Sequence, residues 1–294
     1  MTAQQAPGLR LVIETERPSV ALGEPVYLTA RVRNEGSAAA RLIPLLQPSD
    51  GLLVISMSGP RGERLGFVPL GVRDSETPPS DLAPGAQVAT SFPVFFGASG
   101  WTMRTPGTYT LRARFTVHDG QGAPRELRSD SLTIRVGDQP AELATALLTT
   151  SAASEQAGKF LTWSGGDHLG AGQELLASLV TRFPGAALID HYRLALGRSL
   201  GRPFKDYTRS AVRPADPARS VAALEQVRDS VVPAVLRIQK YLGLATGYRA
   251  LGRSPDATRA LTAARALAGE RAELAEFREA IDRAGRPQGG ATTR

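Results

Sequence analysis

Hydrophobic and polar positions change their rhythm near residue 138. Before that point apolar residues alternate with polar ones, as in Val26, Leu28, Ala30 and Val32, and again in Tyr109, Leu111, Ala113, Phe115 and Val117. A period of two marks strands with one buried face. After residue 138 apolar residues return every three or four positions, the spacing of helices with one buried stripe. The pattern predicts strands at 9–15, 25–34, 39–46, 52–57, 64–68, 87–96, 107–118 and 125–136. It predicts helices at 140–150, 153–164, 168–182, 186–200, 218–229, 231–251, 255–268 and 270–284. The chain therefore reads as multidomain, all-β plus all-α. It divides into a flexible leader over 1–8, an antiparallel β-sandwich over 9–137, a helical domain over 138–284 and a disordered tail over 285–294.

Turn chemistry supports the first half of this reading. Asn34-Glu35-Gly36, Pro84-Gly85 and Pro106-Gly107 supply the backbone conformations of tight turns between short strands. The lead-in Leu22-Gly23-Glu24-Pro25, the Leu82-Ala83-Pro84-Gly85 turn and the strand start Pro106-Gly107-Thr108-Tyr109-Thr110 resemble the immunoglobulin-like (Ig-like) sandwiches of bacterial surface and periplasmic proteins. The resemblance implies architecture and no activity. Tyr109 reads either as a core residue or as a corner tyrosine whose hydroxyl ties down a loop. Residues 58–86 form an irregular insertion, either a binding loop or a solvated crossover. Trp101, after the Gly97–Gly100 turn, is a candidate exposed aromatic for a partner contact.

In the second half, Asp138 and Pro140 suggest a capped helix start. Tyr241, Leu244, Ala245, Tyr248, Gly252, Ala257, Leu261 and Ala264 resemble the tetratricopeptide repeat (TPR), a 34-residue helical hairpin. A weaker copy runs over 153–186, with Phe160, Trp163, Leu176 and Leu179 inside and Gly172 where alanine is usual. Leu188, Tyr192 and Ala195 look like the first helix of a third copy, which Pro203, Pro214 and Pro217 interrupt. The resemblance implies a TPR-like α-hairpin domain that holds a peptide or helix on the surface made by first helices. On the clear copy Gln239, Thr246 and Arg249 would line that surface. Because so short a stack cannot bury its own end, that end should lean on the sandwich, a partner or the last helix.

Composition narrows the function classes. With no cysteine there is no disulfide, thiol nucleophile or cysteine zinc site. The net charge of +7 invites a nucleic-acid reading, but all but three of the 35 basic residues are arginine and they are spread among acids along the chain. We therefore expect no nucleic-acid partner. No apolar run approaches the roughly 18–20 residues needed to span a bilayer. An extracytoplasmic location, with a signal peptide removed, is the favoured expectation, and a cytoplasmic one the alternative.

Candidate chemistry is sparse. Asp167-His168 and Asp190-His191 begin successive helices and could converge on a metal ion. Asp167 is as easily a helix cap, and His191 falls where packing is expected. The run Gly165–Gly172 has neither the Lys and Ser/Thr nor the preceding strand of a phosphate loop. No cofactor and no catalytic constellation are expected. The leading expectation is a non-enzymatic protein-binding or assembly (adaptor or scaffold) protein whose partner is another protein or complex. Alternatives are a structural subunit of a surface complex or filament and a metal-dependent hydrolase using His168 and His191. A sugar-binding module with Trp101 or Trp163 as stacking platform is a weaker one.

Overall fold

The computed structural model describes residues 8–74, 76–119, 123–206 and 210–286. Nearly all of the expected leader and most of the expected tail lie outside these residues. The N-terminal part consists of β-sheets, antiparallel but for one edge pairing, and the C-terminal part is helical.

The strands are β1 (Leu9–Glu14), β2 (Ser19–Ala21), β3 (Tyr27–Asn34), β4 (Ala40–Leu42), β5 (Leu53–Ser58), β6 (Arg64–Phe67), β7 (Ser80–Leu82), β8 (Gln87–Pro93), β9 (Phe96–Gly97), β10 (Gly100–Trp101), β11 (Gly107–Val117), β12 (Arg125–Arg128) and β13 (Leu132–Gly137). A three-stranded sheet runs β1-β3-β8, and a six-stranded sheet runs β2-β13-β11-β5-β6 with β12 also on β11. Alternation puts Leu28, Ala30 and Val32 of the first sheet and Ile55, Leu111, Ala113, Phe115 and Ile134 of the second into the core. Tyr109 fills both roles expected of it. It is buried, and its hydroxyl donates to Thr105 O at 3.0 Å and accepts from Thr105 N at 3.2 Å.

The expected strand over 125–136 is broken in two. Arg128 pairs with Arg114 and Leu132 with Leu111, so residues 129–131 oppose only residues 112 and 113. This is a β-bulge with one extra residue. Ser129 Oγ accepts the Ala113 N–H at 2.9 Å and takes over part of the ladder there.

The helices are α1 (Ala141–Leu148), α2 (Ala152–Trp163), α3 (Gly170–Arg182), α4 (Ile189–Leu200), α5 (Pro217–Glu225), α6 (Ala234–Ala250), α7 (Ser254–Glu270) and α8 (Arg278–Gly285). Successive helices from α2 to α7 pack on one another, the α6–α7 and α2–α3 pairs most extensively. A short hairpin, β14 (Phe204–Asp206) and β15 (Ala211–Arg213), occupies the proline-interrupted segment. Two expectations need correction here. Asp138 does not cap α1, whose N-cap is Pro140 with no side-chain hydrogen bond. The helix expected over 270–284 is a 3-10 turn over 272–277 followed by α8. No described helix is long and apolar enough to cross a membrane.

One continuous core crosses the sequence boundary. The cluster that fills the sandwich extends through Leu143 and Leu147 of α1, Phe160 of α2, Leu176 of α3 and Tyr192 of α4. A second cluster joins α5 to α8. That second part is fastened to the sandwich by polar ties. Glu16 Oε1 accepts the Ala234 N–H at 3.0 Å, capping α6, and also meets Arg271 Nη1 at 2.8 Å. Arg17 donates to Val231 O, and Arg31 lies 3.6 Å from Glu273. The helical part thus reaches the segment after β1, Arg31 of β3, and β8, on which the 3-10 turn packs.

Candidate functional site

A concavity opens where the sandwich meets α1 and α2. The β9–β10 hairpin places Phe96 and Trp101 on one wall, and the α1–α2 connection places Leu148, Thr149, Thr150 and Ser151 on the other. Arg104, Glu155 and Lys159 stand at the rim. The cleft encloses about 720 Å³ and is open to solvent, within the roughly 300–1,000 Å³ range of ligand sites.

Local sequence explains its shape. The φ of +87° at Gly100 suits the turn of the β9–β10 hairpin. Gly158 of α2 carries no Cβ where one would stand 2.1 Å from the Phe96 ring, so strand and helix approach closely. Ser151 caps α2 by accepting the Ser154 N–H at 3.2 Å. Trp101 corrects the expectation of an exposed aromatic. It is only 9% exposed, packs edge-on against Phe96 at 5.5 Å between ring centroids, and donates from Nε1 to Ser154 Oγ at 3.1 Å. Burial of an indole requires such an acceptor. The exposed tryptophan is Trp163, at 48%, which the sequence had placed inside the hairpin.

The other candidates stand apart from the cleft. Gln239 is half-buried and accepts from Arg198 Nη1. Thr246 is exposed, with its hydroxyl turned back to Leu242 O at 3.0 Å, and Arg249 is half-buried. None of the three lines the cleft. α6 is buried over most of its circumference, Ala234, Val235, Leu236, Ile238, Lys240, Leu244 and Ala245 among them, so it has no broad open face of its own.

The two Asp-His pairs do not converge. Asp167 is clasped by Arg213, whose Nε and Nη2 lie 2.6 and 3.1 Å from its two oxygens, while His168 stacks on Phe204 at 6.0 Å. Asp190 is fully buried and held by Arg228 through Nε at 2.8 Å and Nη2 at 2.6 Å. These fork-shaped pairs occupy the carboxylates that a metal would need. Among the described residues no three His, Asp or Glu side chains stand close enough to share an ion.

His191 belongs to a buried polar cluster at the junction instead. Its Nε2 lies 3.5 Å from Glu24 Oε1, which also meets Arg17 Nε at 3.1 Å. Burial pushes the Glu24 carboxyl up, but the nearby His191, the Ala21 N–H and the charge of Arg17 together hold it below its usual value of 4.5. Tyr192 donates to Gly23 O at 3.3 Å, and its burial beside Glu24 raises its hydroxyl well above 10. Tyr27 is pushed up to about 12 by burial, and burial pulls Arg198 down to about 10. Sequence reasoning missed the roles of Glu24 and Arg17; the only signal was the place of Glu24 in the lead-in turn, where an acidic residue is unremarkable.

No family model matches the chain, and no curated protein does. Solved structures match over about half of it. The CARDB domain of a Pyrococcus furiosus protein, solved with di-metal ions, is 14% identical, with 47% of this chain and 100% of that chain covered and a TM-score of 0.26. The C-terminal domain of wzt is 16% identical, covering 47% and 77%, at 0.28. The sporulation control protein Spo0M from Bacillus subtilis is 13% identical, covering 53% and 55%, at 0.26. At these TM-scores the matches say nothing of what the chain does.

Proposed function

We propose that this chain is a non-enzymatic protein-binding module of an extracytoplasmic assembly, and that the cleft between the β9–β10 hairpin and α1–α2 receives an extended segment of the partner. The observation that carries the reading is the cleft itself, walled by both parts of one continuous core. Its apolar lining of Leu70, Phe96 and Leu148, with hydroxyl and charged groups beside it, suits alternating apolar and polar side chains of a peptide. The sandwich is read as Ig-like and the stacked helices as TPR-like. Small residues at the helix crossings support the latter: Ala157 and Gly172 between α2 and α3, and Ala245, Ala257 and Ala264 between α6 and α7.

A photo-crosslinking amino acid placed singly at Thr150, Lys159 and Thr246 of the full chain tests this in its native cells. The two cleft positions should capture the same protein, and Ala98→Arg, which fills the mouth, should reduce the yield at least tenfold. Capture only from Thr246, or capture untouched by Ala98→Arg, removes the cleft from the reading.

A further inference from the structure

Separate from the cleft, the outer face of the six-stranded sheet carries a concentrated positive field. The helices lean on the three-stranded sheet and on the β9–β10 hairpin and leave this face bare. Alternation turns Arg112 and Arg114 of β11, Arg128 of β12, Arg135 of β13 and Arg64 of β6 outward, and all five are exposed. Against them the strands of this face offer one carboxylate among the described residues, Glu126, which Arg114 and Arg128 share at 3.4 and 2.6 Å. Arg112 makes no ion pair among the described residues.

The bulge concentrates this charge into a site. Because residues 129–131 oppose residues 112 and 113, the chain bows away and leaves a depression of about 460 Å³ lined by Ser56, Arg112, Arg114, Arg128, Ser129 and Ser131. Asp130 also lines it, with its exposed carboxylate 3.8 Å from Arg10. Arg112 and Arg114 lie two residues apart on one strand, about 7 Å, and Arg128 lies opposite Arg114, about 5 Å away. Short hydroxyls fill the space between: Ser56, Ser58, Thr108, Thr110 and Thr133.

We propose that this face binds an acidic polysaccharide, its carboxylate or sulfate groups held in the arginine forks and its hydroxyls by the serines and threonines. Charge complementarity selects a polyanion, and the composition of the face selects among polyanions. Among the described residues the outward positions of its strands present no aromatic ring on which unpaired bases could stack. Among the described residues Val54, on the outward side of β5, is its one exposed large apolar side chain, short of the apolar centre of a protein interface.

Equilibrium binding of the full chain to fluorescein-labelled heparin and to polygalacturonate tests the inference, with duplex DNA and anionic phospholipid vesicles alongside at the same salt. Binding to at least one polysaccharide should weaken about tenfold or more between low and physiological salt, as expected where several charges are neutralised. The triple variant R112A/R114A/R128A should lose at least tenfold in affinity. A control that removes three exposed arginines elsewhere, R219A/R259A/R265A, should lose less than threefold. Arg112→Gln alone, at an exposed position without an ion pair, should lose about threefold with unchanged melting temperature, which separates binding from folding. Absence of polysaccharide binding, equal losses in triple variant and control, or tighter binding to DNA or vesicles overturns the proposal.

Discussion

Glu24 is buried between the sandwich and α4, and its charge is kept there by His191, the Ala21 N–H and Arg17. A carboxyl held below its ordinary value stabilises the fold fully above that value, and the contribution fades as pH falls through the folded value. Glu24→Gln should therefore cost on the order of 3 kcal/mol near neutral pH, the scale of breaking a buried ion pair. The gap between variant and wild type should shrink once pH drops well below 4.5. Urea unfolding at about pH 7 and at about pH 3 reads this directly, and a gap of equal size at both would show that the charge is not what stabilises the junction. This residue also marks how far single positions were legible. Asp190 and His191 stood out in the sequence as chemistry, yet their partners, Arg228 and Glu24, come from distant segments and turn both into structural groups. Trp101 and Trp163 exchanged their expected exposures for a similar reason. Local spacing could not tell which one the other half of the chain would cover.

At the scale of elements, the long periodic segments were readable and the short ones were not. β3, β11 and all the helices from α2 to α7 fall within a few residues of their sequence patterns because each buries one stripe or face over many positions. β2, β7 and the β9–β10 hairpin have only two or three residues each, too few to carry a period, and exist because neighbouring strands offer them hydrogen bonds. The bulge at 129–131 was invisible because it depends on register with β11. Glycine at 172, where alanine was expected, has a physical cause. A Cβ there would stand 2.4 Å from backbone atoms of Gln156 and Ala157, which cannot swing aside. Gly172→Ala would gain up to about 1 kcal/mol in helix propensity and lose roughly 1–3 kcal/mol to overpacking. The second effect should win, because α2 and α3 must separate along their length. The urea midpoint should fall with no change in slope, and a midpoint at or above wild type would show that the two helices have room to part.

The whole molecule poses a sharper question, since the change of sequence rhythm near residue 138 and the course of the core disagree about where units end. Leu147 of α1 sits against Gly23, Phe96 packs into the gap at Gly158, and Trp101 is bonded to Ser154. Each contact joins a residue of the sandwich to a helix residue. A chain ending at Gly137 would uncover Phe96, Trp101 and the polar cluster at Glu24 together, leaving buried charge without partners and apolar surface without cover. We expect such a chain to bind hydrophobic dyes and to melt without a sharp transition, whereas the full chain melts cooperatively. A chain ending at Leu200 keeps α1 to α4, and with them the larger core cluster nearly whole. It should recover cooperative unfolding, although it lacks the ties from Glu16, Arg17 and Arg31 to the later helices. Calorimetry of the three chains decides the matter. A sharp transition from the chain ending at Gly137 would make the sandwich an independent unit, and the walls of the cleft would then belong to two bodies free to move apart.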